Sequence, residues 1–184
     1  MCIRDSYGTE GQNGIAHFLE HLIFDGTPRW QEKDIRQVIE RVGGSFNGYT
    51  GHEGTIYEVE VLAEHLGLAL DWLAEIVFRS NLSDEQVRKE KGVIFQERGG
   101  RMGAFFNWLE DLADRLHIEY DLYKSLMRQL FPGAALEREV TGYERTLQRI
   151  TRADLLAFYH RFYIPNNMTL LLSLIHISEP TRPY

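Results

Sequence analysis

The chain has 184 residues, 43% hydrophobic and 26% charged, the composition of one globular domain with enough apolar content for a sizeable core. Acidic residues number 27 against 20 Lys plus Arg, a formal charge of -7 with no basic run to track a phosphate backbone, which argues against nucleic acid; no apolar stretch approaches the roughly 20 residues of a membrane span. The single cysteine, Cys2, excludes an internal disulfide and a thiolate zinc cage, so a metal would have to be held by His and carboxylate, and the redox compartment stays open.

Residues 1–6 and 173–184 carry no period that continues the neighbouring elements and look like translated adapter sequence. Both are expected to be non-native scars outside the fold, leaving residues 7–172 as the domain proper. The opening residues also lack the apolar stretch of a secretory signal, so any native leader is expected to be missing.

Residues 14–24 place His17, His21 and Phe24 at helical spacing before Gly26, Thr27 and Pro28 stop the helix. Residues 31–42 repeat Ile35, Val38, Ile39 and Val42 as an amphipathic helix that ends at Gly43 and Gly44. Two strands follow, 45–50 and 55–61, joined by a hairpin loop over 51–54; in the second, Tyr57, Val59 and Val61 alternate with Glu58 and Glu60. A longer helix is predicted over 62–78. Ser83 with Gln86 forms a capping box that opens a helix running to about Arg98, closed by Gly99 and Gly100. Residues 105–127 read as helix and 131–144 as loop, and Thr151 with Asp154 caps a last helix to Phe162 before a strand over 168–172. Two strands joined by a short hairpin among helices favour an α+β fold, a two-layer sandwich of mostly antiparallel sheet and helices, over a doubly wound parallel sheet.

The segment HFLEH carries the chemistry. His17 and His21 are four residues apart, which stacks both imidazoles on one helix face about a turn apart, where they can share one metal ion. Glu20 borders that face and could reach a water on the metal, the H-x-x-E-H order. The bland reading is a polar patch on an amphipathic helix. Catalytic zinc usually takes three protein ligands, so two histidines need one more donor; with no usable thiol a carboxylate is the candidate, and Glu97 is the one chosen. Glu90 lies seven residues before it, nearly two turns back on the same face. The spacing lets one of the two ligate while the other accepts a hydrogen bond from a ligand histidine; Glu90 alone, flanked by Lys89 and Lys91, reads equally well as a solvated helix residue.

NGIAHFLEHLIFDGT, GGSFNGYTGHEGTIYEVEV, the helix bearing Glu90 and Glu97, and RFYIPNNMTLLL closely resemble the pitrilysin/insulinase family of zinc peptidases, the inverzincins, across nearly all of residues 7–172. The resemblance implies zinc held by His17, His21 and Glu97, Glu20 as general base activating the zinc-bound water, and Glu90 as an assisting group. It also implies that the strand carrying Asn47 and Gly48 takes peptide substrate in extended form. Gly48 stands where the family has Ala, and the exchange is expected to loosen the strand. The implied function is a zinc metalloendopeptidase acting on unfolded or short peptides. The alternative is a non-catalytic scaffold subunit of the same fold, and a helical binding module without metal is the blandest reading. A second, similar domain or subunit is the expected partner. Since the chain is expected to end before such a half and to lack the strands the resemblance implies ahead of Tyr7, it should bind zinc, cleave poorly and expose an open sheet edge.

Other candidates read more simply. His52 and Glu53 belong to a solvated loop, and His65, His117 and His160 are isolated histidines on helices. Trp72, Trp108, Phe105 and Phe106 suit a core, and Gly99, Gly100 and Gly103 follow a helix and so cannot cradle a phosphate.

Overall fold

Strand β2 (Ser45–Thr50) pairs antiparallel with β3 (Thr55–Glu60) through an unbroken six-residue register, and Gly51 N–H donates to the Gly54 carbonyl to close the turn. The computed structural model describes residues 2–3, 10–97, 109, 112–113, 116 and 122–173. Among these, β1 (Cys2–Ile3) and β4 (Met168–Thr169) complete a four-stranded antiparallel sheet in the order β2-β3-β1-β4. The α+β architecture is as expected. One placement differs: Cys2 and Ile3, set aside on sequence grounds, lie inside the sheet, with Ile3 fully buried. Two residues are too few to show a period, so their apolar pair carried no readable signal.

Helix α1 (Ile15–Ile23) buries Ile15, Phe18, Leu19, Leu22 and Ile23, the i, i+3, i+4 stripe of an amphipathic helix. The complementary stripe is left to His17, Glu20 and His21. The start of α1 is set by a close approach of two backbones. Gly14 (φ 89°) and Gly142 (φ 77°) are both left-handed, and a Cβ on Gly14 would stand 2.6 Å from Gly142 Cα.

Helix α2 (Glu32–Glu40) and helix α3 (Leu66–Phe78) close over the aromatic centre, where the Trp72 indole N–H donates to the Ile35 carbonyl at 2.8 Å. Trp72 is core, as its type suggested. Residues 63–65 are a 3-10 turn, so α3 begins later than the apolar period implied. The predicted capping box forms in helix α4 (Asp84–Glu97): Gln86 N–H donates to Ser83 Oγ, and Ser83 N–H to Gln86 Oε1. Gln86 Nε2 also donates to the Asp25 carbonyl, which seats the start of α4 on the end of α1.

Helix α5 (Leu122–Leu130) runs past the predicted end at Met127. Arg98, Gly99, Gly100, Gly103, Phe105, Phe106, Trp108 and His117 lie outside the described residues, as do Tyr7 and residues 174–184. Within the predicted loop there is a 3-10 turn, Ala135–Glu137, and a short helix α6 (Glu144–Arg149) follows it. Tyr143 opens α6 in place of a Ser, Thr, Asp or Asn cap, and six residues show too little period to be recognised. Helix α7 (Arg152–Phe162) has the predicted Thr151–Asp154 box. The last strand stops at Thr169 instead of Leu172; among the described residues β1 offers two to pair with, and Leu170, Leu171 and Leu172 are exposed. Among the described residues no helix is long and apolar enough to cross a membrane.

Candidate metal centre

Helix α1 projects His17 and His21 from consecutive turns, and their rings meet edge to face with centroids 4.7 Å apart. Helix α4 packs against α1, and its buried stripe of Val87, Glu90 and Ile94 turns Glu90 and Glu97 towards the imidazoles. His17, His21 and Glu97 each offer one donor atom, and all three atoms lie within 4.8 Å of one another. His21 Nε2 is 3.5 Å from Glu97 Oε2. Two donors at bond lengths of about 2.0–2.2 Å around a tetrahedral ion stand about 3.3–3.6 Å apart, so this pair fits a shared zinc. Two imidazoles and a carboxylate are also a donor set that zinc accepts.

Glu90 is almost enclosed, and its Oε2 lies 3.3 Å from His21 Nδ1. A carboxylate can only accept, so Nδ1 carries the proton and Nε2 presents its lone pair on the side of Glu97. The hydrogen bond from His21 holds Glu90 below the usual carboxylate range against the opposing effect of burial, with Lys89 helping. Burial disfavours the charged form of His21, but the Glu90 bond and the charges of Glu97 and Glu20 outweigh it and raise its pKa.

Glu20 extends towards the sheet. Thr50 Oγ1 donates to Glu20 Oε2 at 2.5 Å, and Thr50 and Thr55 hydroxyls lie 3.3 Å apart beneath it. Burial raises the Glu20 pKa; the Thr50 bond and His21 oppose that shift, and the Glu97 charge adds to it. In β2 the alternation turns Phe46, Gly48 and Thr50 inward and leaves Asn47 exposed. A Cβ on Gly48 would stand 2.9 Å from Glu20 Oε1 and 3.0 Å from the Phe24 ring. Glu20 and Phe24 fill the space above Gly48, and its register to Tyr57 is kept.

Glu20, His21, Glu90 and Glu97 open on a cleft of about 640 Å³ that is also lined by Asn47 and Gly48 of β2. Among the described residues β2 is an edge strand, so its free edge borders this cleft. His52, Glu53, His65 and His160 do not line it. Thr50, Asp25 and Lys89 were not singled out by sequence. Only the inward phase of β2, which pairs Thr50 with Gly48, could have pointed to the first of them.

The profile of the insulinase family, peptidase family M16, matches residues 6–102. This chain belongs to that family. As an insulinase-family chain it is 34% identical to an uncharacterized zinc protease of Rickettsia bellii, over 91% of this chain and 37% of that protein. It is 32% identical to the mitochondrial cytochrome b-c1 complex subunit 1 of Mus musculus, over 97% of this chain and 37% of that one. The crystal structure of a protease from Helicobacter pylori shares the fold with a TM-score of 0.73 at 23% identity, over 90% of this chain and 38% of that chain. The chain thus spans a little over a third of the length of these insulinase-family and pitrilysin-like proteins, which include both a zinc protease and a subunit of a larger complex.

Proposed function

We propose that this chain is the zinc-holding part of a metalloendopeptidase that hydrolyses peptide bonds of unfolded or short peptides. The observation that carries the reading is the convergence of His17, His21 and Glu97 donors within 4.8 Å, two of them, His21 and Glu97, lining a cleft shared with the Glu20 carboxylate. His17, His21 and Glu97 would hold zinc, and Glu90 keeps His21 in the tautomer that ligation needs. Zinc, when bound, supplies a Lewis acid that polarises the scissile carbonyl and acidifies water. Glu20 then takes a proton from the attacking water and returns it to the departing amine, so that one peptide bond breaks and one water is consumed. The free edge of β2 at Asn47 and Gly48 receives substrate backbone as an added strand, which gives hydrogen bonds that tolerate many sequences. A second domain or subunit of like fold completes the chamber.

Similarity to a cytochrome b-c1 complex subunit favours one competing reading, a scaffold subunit without catalysis. Zinc content and hydrolysis of an unstructured peptide, measured on the chain and on Glu20→Gln, separate the two. About one zinc per chain is expected in both proteins, with slow hydrolysis in the first and none in the second. A chain that takes up no zinc is the scaffold; unchanged hydrolysis in Glu20→Gln removes Glu20 as the base.

A further inference from the structure

We infer that Lys89 is a positioning residue for the metal centre, acting through Glu90 on His21. The inference rests on the zinc reading above. Lys89 Nζ lies 2.7 Å from Glu32 Oε2, 3.1 Å from Asp25 Oδ1 and 3.4 Å from Glu90 Oε1. These partners come from three segments: the turn after α1, the first turn of α2, and α4 itself. Neighbouring residues on a helix do not face one another. The contact between Lys89 and Glu90 therefore needs an outside hold on the ammonium, which Asp25 and Glu32 supply.

Glu90 gives its other oxygen, Oε2, to His21 Nδ1 at 3.3 Å. A terminal carboxylate torsion is broad, so a carboxylate gripped at one oxygen still turns. Gripped by an ammonium at Oε1 and an imidazole at Oε2, its plane is set, and the direction of the His21 ring is set with it. The ammonium donates hydrogen bonds to Asp25 and Glu32 and stands within ion-pair distance of Glu90 Oε1.

Charge alone predicts the opposite outcome. A cation near a divalent ion weakens binding, so deleting one would tighten zinc; loss of a positioning group loosens it. The test is zinc affinity of the full chain, read by competition with a chromophoric chelator, for wild type, Lys89→Met, Lys89→Arg, Glu90→Gln and the Lys89→Met/Glu90→Gln double variant. Lys89→Met is expected to weaken zinc about tenfold, the size of effect seen for partners of metal-binding histidines. Lys89→Arg should recover most of that loss, and Lys89→Met should add nothing once Glu90 is Gln, because the effect passes through that carboxylate. Unchanged or tighter binding in Lys89→Met overturns the proposal, as does an equal loss in the Glu90→Gln background. Metal-free Lys89→Met should melt lower than wild type, since Asp25 loses its cation, but keep the wild-type circular dichroism at the assay temperature, and unfolding there would make the role merely structural. If wild type itself takes up no zinc, the metal reading fails; if wild type and Lys89→Met bind alike, only the role of Lys89 fails.

Discussion

The Thr50 hydroxyl donates to Glu20 Oε2, joining the last residue of strand β2 to the helix that carries both imidazoles. The other oxygen, Oε1, lies over Gly48, where an added Cβ would stand 2.9 Å from it. Thr50→Val keeps the side-chain shape and removes the donor. Hydrogen bonds to charged groups contribute about 1.5–3 kcal/mol, so hydrolysis should fall about tenfold or more while zinc content stays the same. Thr50→Ser, which retains the hydroxyl, should recover most of the rate. Equal rates for Val and Ser would show that the bond does not aim Glu20.

Two glycines near the site should respond differently to an added methyl. At Gly44 a Cβ would stand 2.6 Å from the Glu60 carbonyl oxygen, which is backbone in the β2–β3 ladder and cannot turn aside. At Gly48 the nearest atom is the flexible end of Glu20, and the backbone is extended. Gly44→Ala should destabilise by about 1–3 kcal/mol, as overpacking does. Gly48→Ala should remain within about 1 kcal/mol of wild type, because the reduced freedom of the unfolded chain offsets the crowding. Denaturant midpoints of the two variants check the order.

Asp25 gives the protein a pH signature. Burial, and then the charge of Glu90, lift its carboxyl from 3.8 to about 6, against the opposing pull of Lys89. The folded state holds this proton more tightly than the unfolded chain. The contribution is therefore fully present below about pH 4 and is lost as pH rises through about 6, on the order of 2–3 kcal/mol in all. Asp25→Asn stays neutral and keeps an acceptor for Lys89. Its stability relative to wild type, both metal-free, should thus rise between pH 4.5 and pH 7; a difference that is flat with pH refutes the assignment.

Zinc should stabilise the folded chain by mass action. At a free concentration one hundred times the dissociation constant the gain is about 2.7 kcal/mol, and a chelator should reverse it. His21→Ala removes one donor and the partner of Glu90, so its melting temperature should not move with zinc. A zinc-dependent shift equal to that of wild type would place the ion elsewhere.

Much of this architecture was legible because it is periodic or capped. The i, i+4 spacing of His17 and His21, the Ser83–Gln86 and Thr151–Asp154 boxes and the alternation of β3 each follow from a local rule, and each has its counterpart in the structure. The approach of Glu97 to His21 was different in kind. Nothing local joins α4 to α1, and that pairing depended on resemblance. Thr50 and Lys89 were not legible, because a threonine in a strand and a lysine on a helix are commonplace until their partners from distant segments are known. The two-residue β1 and the tyrosine-opened α6 escaped for the same reason: short pieces are held by tertiary contacts and not by propensity.

Ile3 stands between Thr55 of one neighbouring strand and Met168 of the other. Trimming the first six residues as dispensable would leave the inner flank of the Thr55–Glu60 strand bare and the Met168–Thr169 strand without a seat. An expression design that keeps those residues therefore protects the far end of the same sheet whose opposite border faces the histidines.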